Sequence, residues 1–108
     1  MAVTILIADD HRLFRDGLRT LLGKEKNITV VAETTDGGDT VSAVDELKPD
    51  IVLMDISMPE LNGIEATRRI VARGASTKII MLSMHSDKRF ITESLKAGAG
   101  SFTRRKAG

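Results

Sequence analysis

The sequence predicts an α/β fold in which a parallel β-sheet is covered by helices on both faces. Short apolar runs alternate along the chain with segments whose apolar residues recur at helical spacing. The run at residues 51–54 joins four apolar residues without alternation, as in a strand that is buried on both faces. At 108 residues the chain can bury one hydrophobic core but not two, so we predict a single domain over residues 1–108.

The individual elements follow in chain order. Strands are predicted at residues 3–8, 28–32, 51–55, 78–82 and from 101–103 onward, and helices at residues 12–22, 40–48, 63–73 and 87–97. Gly23 is expected to cap the first helix, Pro49 to end the second, and residues 35–38 to form a turn. Strands that alternate with helices of this length pair in parallel through right-handed crossovers.

The fifth strand calls for a covering helix of its own, and the sequence stops at residue 108 before supplying one. We therefore expect the final helix to be missing and the chain to be truncated at its C-terminal end, or a partner to cover the bare flank.

Composition narrows the function classes. A net charge of +1 and a pI near 8.1 do not predict electrostatic binding to nucleic acid or to a membrane surface. The absence of cysteine excludes disulfides and thiolate metal sites. Without a signal peptide or a long apolar segment, the expected location is cytoplasmic.

Acidic residues follow two of the predicted strands. Asp9 and Asp10 come after the first strand and Asp55 ends the third. Ligands bind beyond the carboxyl ends of strands in such sheets, so the three carboxylates converge if these strands are neighbours. Mg²⁺ would relieve their mutual repulsion, and the backbone carbonyl of Ser57 could add a ligand. Two simpler interpretations stay open: Asp55 as a helix cap or solvated loop acid, and Asp9 and Asp10 as caps of the first helix.

Two further strand ends point at the same edge. Ser83 follows the fourth strand, and the fifth runs into the basic residues 104–106. A phosphoryl group on Asp55 would need a hydroxyl and a cation near its oxygens. The simpler alternative is that Ser83 is an ordinary strand-end serine and that residues 104–106 form a solvated basic tail. His85 could overhang this edge or be a solvated loop residue. His11 is expected in the first helical turn, and the two histidines do not form a zinc site.

Taken together, these motifs resemble a known family. They are the acidic pair after the first strand, D-x-x-M-P-x-x-x-G from Asp55 to Gly63, the hydroxyl of Ser83, and KAGA at residues 96–99. From residue 3 to about residue 106 the chain resembles the receiver domain of two-component response regulators. The segments DDHRLFRDGL and MDISMPELNGIEA are similar to the NarL/LuxR class, whose members usually carry a C-terminal helix-turn-helix DNA-binding domain. No such domain is predicted within residues 1–108.

The resemblance implies a flavodoxin-like sheet of order 2-1-3-4-5 and a phosphoacceptor site. Asp55 would accept a phosphoryl group from a phosphohistidine of a sensor histidine kinase. Asp10, Asp55 and the carbonyl of Ser57 would hold Mg²⁺, and Asp9 would act through a water. The protein itself would supply mostly positioning and charge stabilisation.

The resemblance also implies a conformational switch. Ser83 would carry the switch hydroxyl, and Phe102 would be the aromatic residue whose rotamer follows the movement of that hydroxyl. The family's lysine lies 22 residues beyond the switch hydroxyl, which in this chain is Arg105, with Lys106 beside it. Arginine keeps the charge but changes its shape and hydration, so this departure puts the strength of switching in question.

The predicted function is therefore a signalling switch rather than a turnover enzyme. Its output would be a DNA-binding domain elsewhere in a longer protein, with no direct contact between this domain and nucleic acid. A homodimer is expected through the side of the fourth helix and fifth strand or through the first helix. Two alternative functions remain open. A Mg²⁺-dependent phosphatase with an Asp nucleophile usually has a second Asp at the position of Ser57, and a flavin carrier would need a stacking Trp or Tyr, which the chain lacks.

Overall fold

The structure, a computed structural model, describes residues 2–55, 62–83 and 101–104, and only the backbone of residues 83 and 101–104. These ranges contain β1 (Val3–Ala8), α1 (Arg12–Gly23), β2 (Ile28–Thr34), α2 (Gly37–Leu47), β3 (Ile51–Asp55), α3 (Gly63–Ala72), β4 (Lys78–Ser83) and β5 (Ser101–Arg104). The helix predicted at residues 87–97 lies outside the described residues.

The strands form one parallel sheet of order β2-β1-β3-β4-β5. This order confirms the predicted α/β architecture and makes β1 and β3 neighbours. The chain reverses its direction of winding between β2 and β3, and right-handed crossovers therefore place α1 on one face and α2 on the other.

The main core lies between the sheet and the helices α2 and α3. It joins alternate residues of the central strands with the inner faces of the two helices: Leu6, Ala8, Val52, Met54, Ile79 and Met81 from the sheet, and Val41, Val44, Ala66 and Ile70 from the helices. Helix α1 on the opposite face has no buried residue, and its Leu13 and Leu21 are 87% and 63% exposed. Among the described helices, α1 therefore buries less of its own surface than α2 and α3 do.

Helix α2 begins earlier than the sequence predicted. It starts at Gly37, because the side chain of Asp36 accepts a hydrogen bond of 2.8 Å from the backbone N–H of Asp39. This cap satisfies a helix-terminal donor and offsets the low helix propensity of two glycines. The helix ends at a left-handed Lys48, with φ 46°, directly before Pro49.

The predicted glycine cap of α1 is wrong. Gly23 is the last helical residue, and the cap position is taken by Lys24 in a right-handed conformation. The backbone N–H groups of Lys24 and Glu25 bond to the carbonyls of Leu21 and Leu22, so the last turn closes without a residue of positive φ.

Candidate functional site

The site is built where β1 and β3 end side by side. Their register pairs Ala8 with Met54, so the residues that follow these two, Asp9 and Asp55, come to the same level of the sheet. At the other end of these strands, Asp50 accepts hydrogen bonds from the backbone N–H and the hydroxyl of Thr4, at 2.8 and 3.0 Å. This contact holds the same register, and a slip of one residue would turn Asp55 to the other face.

The same contact with Thr4 also shifts the pKa of Asp50. Its backbone N–H and, second, its hydroxyl lower the pKa of Asp50 below the usual value of 3.8, because both donors favour the charged carboxylate. Asp50 is thus held as an anion at the edge of the sheet opposite the candidate site.

The loop after β1 is held by backbone and arginine contacts. The backbone N–H of Asp9 bonds to the carbonyl of Thr34 at 3.0 Å. Arg15 on α1 donates to the carbonyl of Asp9 at 2.7 Å and pairs with Glu33 on β2 at 3.3 Å. Arg19, one turn further along α1, bonds to the other oxygen of Glu33 at 3.0 Å. These contacts join α1 to β2 and fix the direction in which the acidic loop leaves the sheet.

The carboxylates of Asp9 and Asp55 are both buried, with 0% and 1% of the residue exposed, whereas the side chain of Asp10 is 33% exposed. The side chain of Asp9 accepts the backbone N–H of His11 at 2.8 Å. Two buried carboxylates at the ends of neighbouring strands favour the binding of a cation, because the removal of water strengthens the repulsion between them.

His11 joins the three acids. Its Nδ1 atom lies 2.9 Å from Asp9 Oδ1, 3.1 Å from Asp10 Oδ1 and 3.7 Å from Asp55 Oδ2. One ligand atom from each of these four residues lies within 4.8 Å of all the others. The sequence did not predict His11 as part of this group, since its spacing alone does not show which way a residue at a helix start points.

The donor set suits a small divalent cation. Carboxylate oxygens are the ligands that Mg²⁺ prefers, and the exposed side of the cluster leaves room for the waters that this ion retains. The described residues thus fit Mg²⁺ in the chemistry of their donors, and the imidazole adds one nitrogen to an oxygen-rich group.

Neither Asp9 nor Asp10 stands at the N-cap position of α1, which is occupied by His11. The side chain of His11 makes no capping hydrogen bond, and the side chain of Asp9 accepts the backbone N–H of His11 at 2.8 Å. Asp55 ends β3 and is the Cα partner of Leu82 on β4, so the backbone of Ser83 continues one residue beyond this level. Ser83 in turn pairs with Arg104 on β5.

Several predicted site residues are not tested by this geometry. Ser57, His85 and Arg105 lie outside the described residues, and the side chains of Ser83 and Phe102 are not described.

Comparison with known proteins gives the family. The family model described as "Response regulator receiver domain" matches residues 5–106, almost the whole chain. The chain belongs to this family. As a receiver domain it is similar to the transcriptional regulatory protein DegU of Brevibacillus brevis, with 43% identity over 93% of the chain, and to the response regulator UvrY of Escherichia coli K12, with 41% identity over 93%.

The receiver domain spans less than half the length of these curated relatives, 42% of DegU and 46% of UvrY. Among solved structures, the signal receiver domain of the response regulator NarL from Mycobacterium tuberculosis superposes with a TM-score of 0.94 at 26% identity, covering 99% of this chain and 86% of that one. The resemblance to response regulators of the NarL/LuxR class is thereby confirmed.

The sequence predicts no apolar segment long enough to cross a membrane. Within residues 2–55, 62–83 and 101–104, no helix combines the length and apolar character that a membrane span requires.

Proposed function

We propose that Asp55 accepts a phosphoryl group from the phosphohistidine of a sensor histidine kinase. The observation that carries this proposal is the buried carboxylate of Asp55, 1% exposed, gathered with Asp9 and Asp10 beyond the strand ends. An oxygen of Asp55 would attack phosphorus as the bond from phosphorus to the histidine nitrogen breaks. The electron pair of that bond would return to the imidazole ring. Membership of the receiver family supports a histidine kinase as the donor.

The proposed ion is Mg²⁺, held by Asp10, Asp55 and the carbonyl of Ser57, with Asp9 acting through a water. When bound, the ion would neutralise charge on the transferring phosphoryl oxygens. The chain's own residues bury and orient the nucleophile. Burial limits the rotamers open to Asp9 and Asp55, and Arg15 ties the carbonyl of Asp9 to α1, which supports a preorganised site.

The proposed switch residues are Ser83, Phe102 and Arg105. Support for Ser83 comes from the backbone, since its neighbour Leu82 is the Cα partner of Asp55 across β3 and β4. In this proposal the hydroxyl of Ser83 turns toward the phosphoryl group and Phe102 follows it. Arg105 supplies the positive charge that the family takes from a lysine, with a planar group of different reach.

The proposed output is control of transcription through a DNA-binding domain in a longer protein, in keeping with the names of the relatives. This domain would act in the cytoplasm as a signalling switch rather than as a turnover enzyme. It would dimerise through the side of the fourth helix and β5 or through α1. The exposure of Leu13 and Leu21 on α1 supports the second surface.

Intact mass spectrometry tests the acceptor directly. After incubation with acetyl phosphate and Mg²⁺, the unmutated chain should gain one phosphoryl group, about 80 Da, on a carboxylate nucleophile. Asp55→Asn should abolish the gain, whereas the matched change Asp16→Asn, on the exposed side of α1 and outside the cluster, should retain it. Labelling that survives Asp55→Asn, or that never occurs in the unmutated chain, would refute the proposal.

A further inference from the structure

Asp9 is held through its backbone by two neighbouring elements. Its N–H donates to the carbonyl of Thr34 on β2 at 3.0 Å, and its carbonyl accepts a bond of 2.7 Å from Nη1 of Arg15 on α1. The two peptide groups that flank the Cα of Asp9 are therefore both fixed. The second of them is the peptide bond that leads to Asp10.

The contact with Arg15 matters most for Asp10. A peptide group is planar, so a bond to the carbonyl of Asp9 also fixes the direction in which the chain continues to Asp10. The side chain of Asp10 is 33% exposed, whereas Asp9 is fully buried. Burial thus restrains the carboxylate of Asp9, but the approach of Asp10 to the cluster depends on the backbone that Arg15 holds.

Arg15 is itself held by an acid on β2. Its Nε donates to Oε1 of Glu33 at 3.3 Å, while Nη1 of the same planar group reaches the carbonyl of Asp9. Arg19 bonds to the other oxygen of Glu33 at 3.0 Å. Because a guanidinium is rigid, its bond to Glu33 sets the plane from which it approaches Asp9. Only 15% of the Arg15 side chain is exposed, so water competes little for these two bonds.

We infer that Arg15 is a positioning residue of the metal site: through the backbone of Asp9 it holds Asp10 where a divalent cation needs its carboxylate, and Glu33 orients the guanidinium. The inference rests on the proposed function, because it takes the acidic cluster to bind Mg²⁺. It also predicts a sign that charge alone does not. A cation beside the acidic loop repels Mg²⁺, so removal of the Arg15 charge by itself would tighten Mg²⁺ binding. Loss of positioning weakens Mg²⁺ binding instead.

Isothermal titration with Mg²⁺ measures which effect dominates. Arg15→Gln removes the charge and the rigid fork while it keeps a polar side chain. It should weaken Mg²⁺ binding by about tenfold, the lower end of the range for partners that orient metal ligands. The titration is made at a temperature at which circular dichroism shows the variant to be fully folded, so a loss of stability alone leaves the measured affinity unchanged.

Arg19→Gln is the matched control. Arg19 lies one turn further along α1, its side chain is 65% exposed, and its hydrogen bond goes to Glu33 rather than to the backbone of Asp9. This variant removes the same charge from the same helix, and it should keep the Mg²⁺ affinity within about threefold because an exposed charge is screened by water and salt.

Arg15→Lys keeps the charge and most of the side chain, so it tests the inference even where Arg15→Gln does not fold. Its single nitrogen replaces two nitrogens that serve two acceptors, and Mg²⁺ binding should still weaken by about threefold or more.

Mg²⁺ binding that is unchanged or tighter in Arg15→Gln, unchanged affinity in Arg15→Lys, or an equal loss in Arg19→Gln would overturn the inference. Failure of the proposed function has a different signature, because the unmutated domain would then bind no Mg²⁺ and take no phosphoryl group from acetyl phosphate. Normal binding and labelling in the unmutated domain, with unchanged Mg²⁺ affinity in Arg15→Gln, would refute the positioning role alone.

Discussion

Magnesium should stabilise this domain, and Asp10→Asn should remove most of that effect. Binding to the folded state alone adds RT ln(1 + [L]/Kd) to the free energy of unfolding. With a dissociation constant of about 1 mM, about 10 mM Mg²⁺ adds roughly 1.4 kcal/mol. For a domain of about 100 residues this corresponds to a rise in melting temperature of roughly 6 to 10 °C.

The structure indicates why Asp10 is the informative position. Its carboxylate is 33% exposed, so the change to Asn leaves no buried cavity, yet it removes one of three negative charges from the cluster. Asp10→Asn should therefore raise the melting temperature measured without metal while it reduces the Mg²⁺ shift. Asp16→Asn, on the exposed side of α1 and outside the cluster, should keep the full shift.

Differential scanning calorimetry at neutral pH measures both effects. A NaCl sample of equal ionic strength separates specific binding from charge screening. If Mg²⁺ leaves the melting temperature of the unmutated domain unchanged, the three carboxylates do not form a metal site. If Asp16→Asn loses the shift as fully as Asp10→Asn, the effect comes from net charge and the geometric argument fails.

Three further predictions concern the core, a carboxyl group and the switch. Ile70→Ala, at a residue that is 1% exposed, should lower the free energy of unfolding by about 2 to 5 kcal/mol in urea titrations, whereas Leu21→Ala, 63% exposed, should stay within about 0.5 kcal/mol. Because the pKa of Asp50 is lowered by Thr4, the stability that Asp50 contributes is present above its usual pKa of 3.8 and is lost as the pH falls through the lower value of the folded state. Thr4→Val keeps the backbone N–H and removes the hydroxyl, so it should raise that pKa in part in an NMR titration, and an unchanged pKa would contradict the contribution of the hydroxyl. Arg105→Lys should enlarge the NMR response to beryllofluoride with Mg²⁺ affinity nearly unchanged, and an equal response would mean that the arginine already fills the role.

The alternation of strands and helices was predictable from the sequence, because apolar periodicity identifies the elements. The convergence of Asp9, Asp10 and Asp55 was predictable only on the condition that the first and third strands are neighbours, and the observed sheet order meets that condition. Element ends were less predictable. The start of α2 at Gly37 depended on the side chain of Asp36, whose capping bond outweighs the weak helix propensity of glycine.

The place of His11 was decided by the tertiary structure. The sequence sets His11 beside two acids, but a residue at a helix start can point toward or away from the sheet. Its direction follows from the turn after β1, which is held by the bond of Arg15 to the carbonyl of Asp9 and by the pairing of Arg15 with Glu33 on β2. The pairing of Arg15 with Glu33 joins residues that are 18 positions apart in the chain, so its geometry is absent from the local sequence pattern. The sequence by itself thus placed carboxylates at the ends of two strands, whereas the order of the strands decided that Asp9 and Asp55 meet and the packing of α1 on the sheet decided that an imidazole meets them.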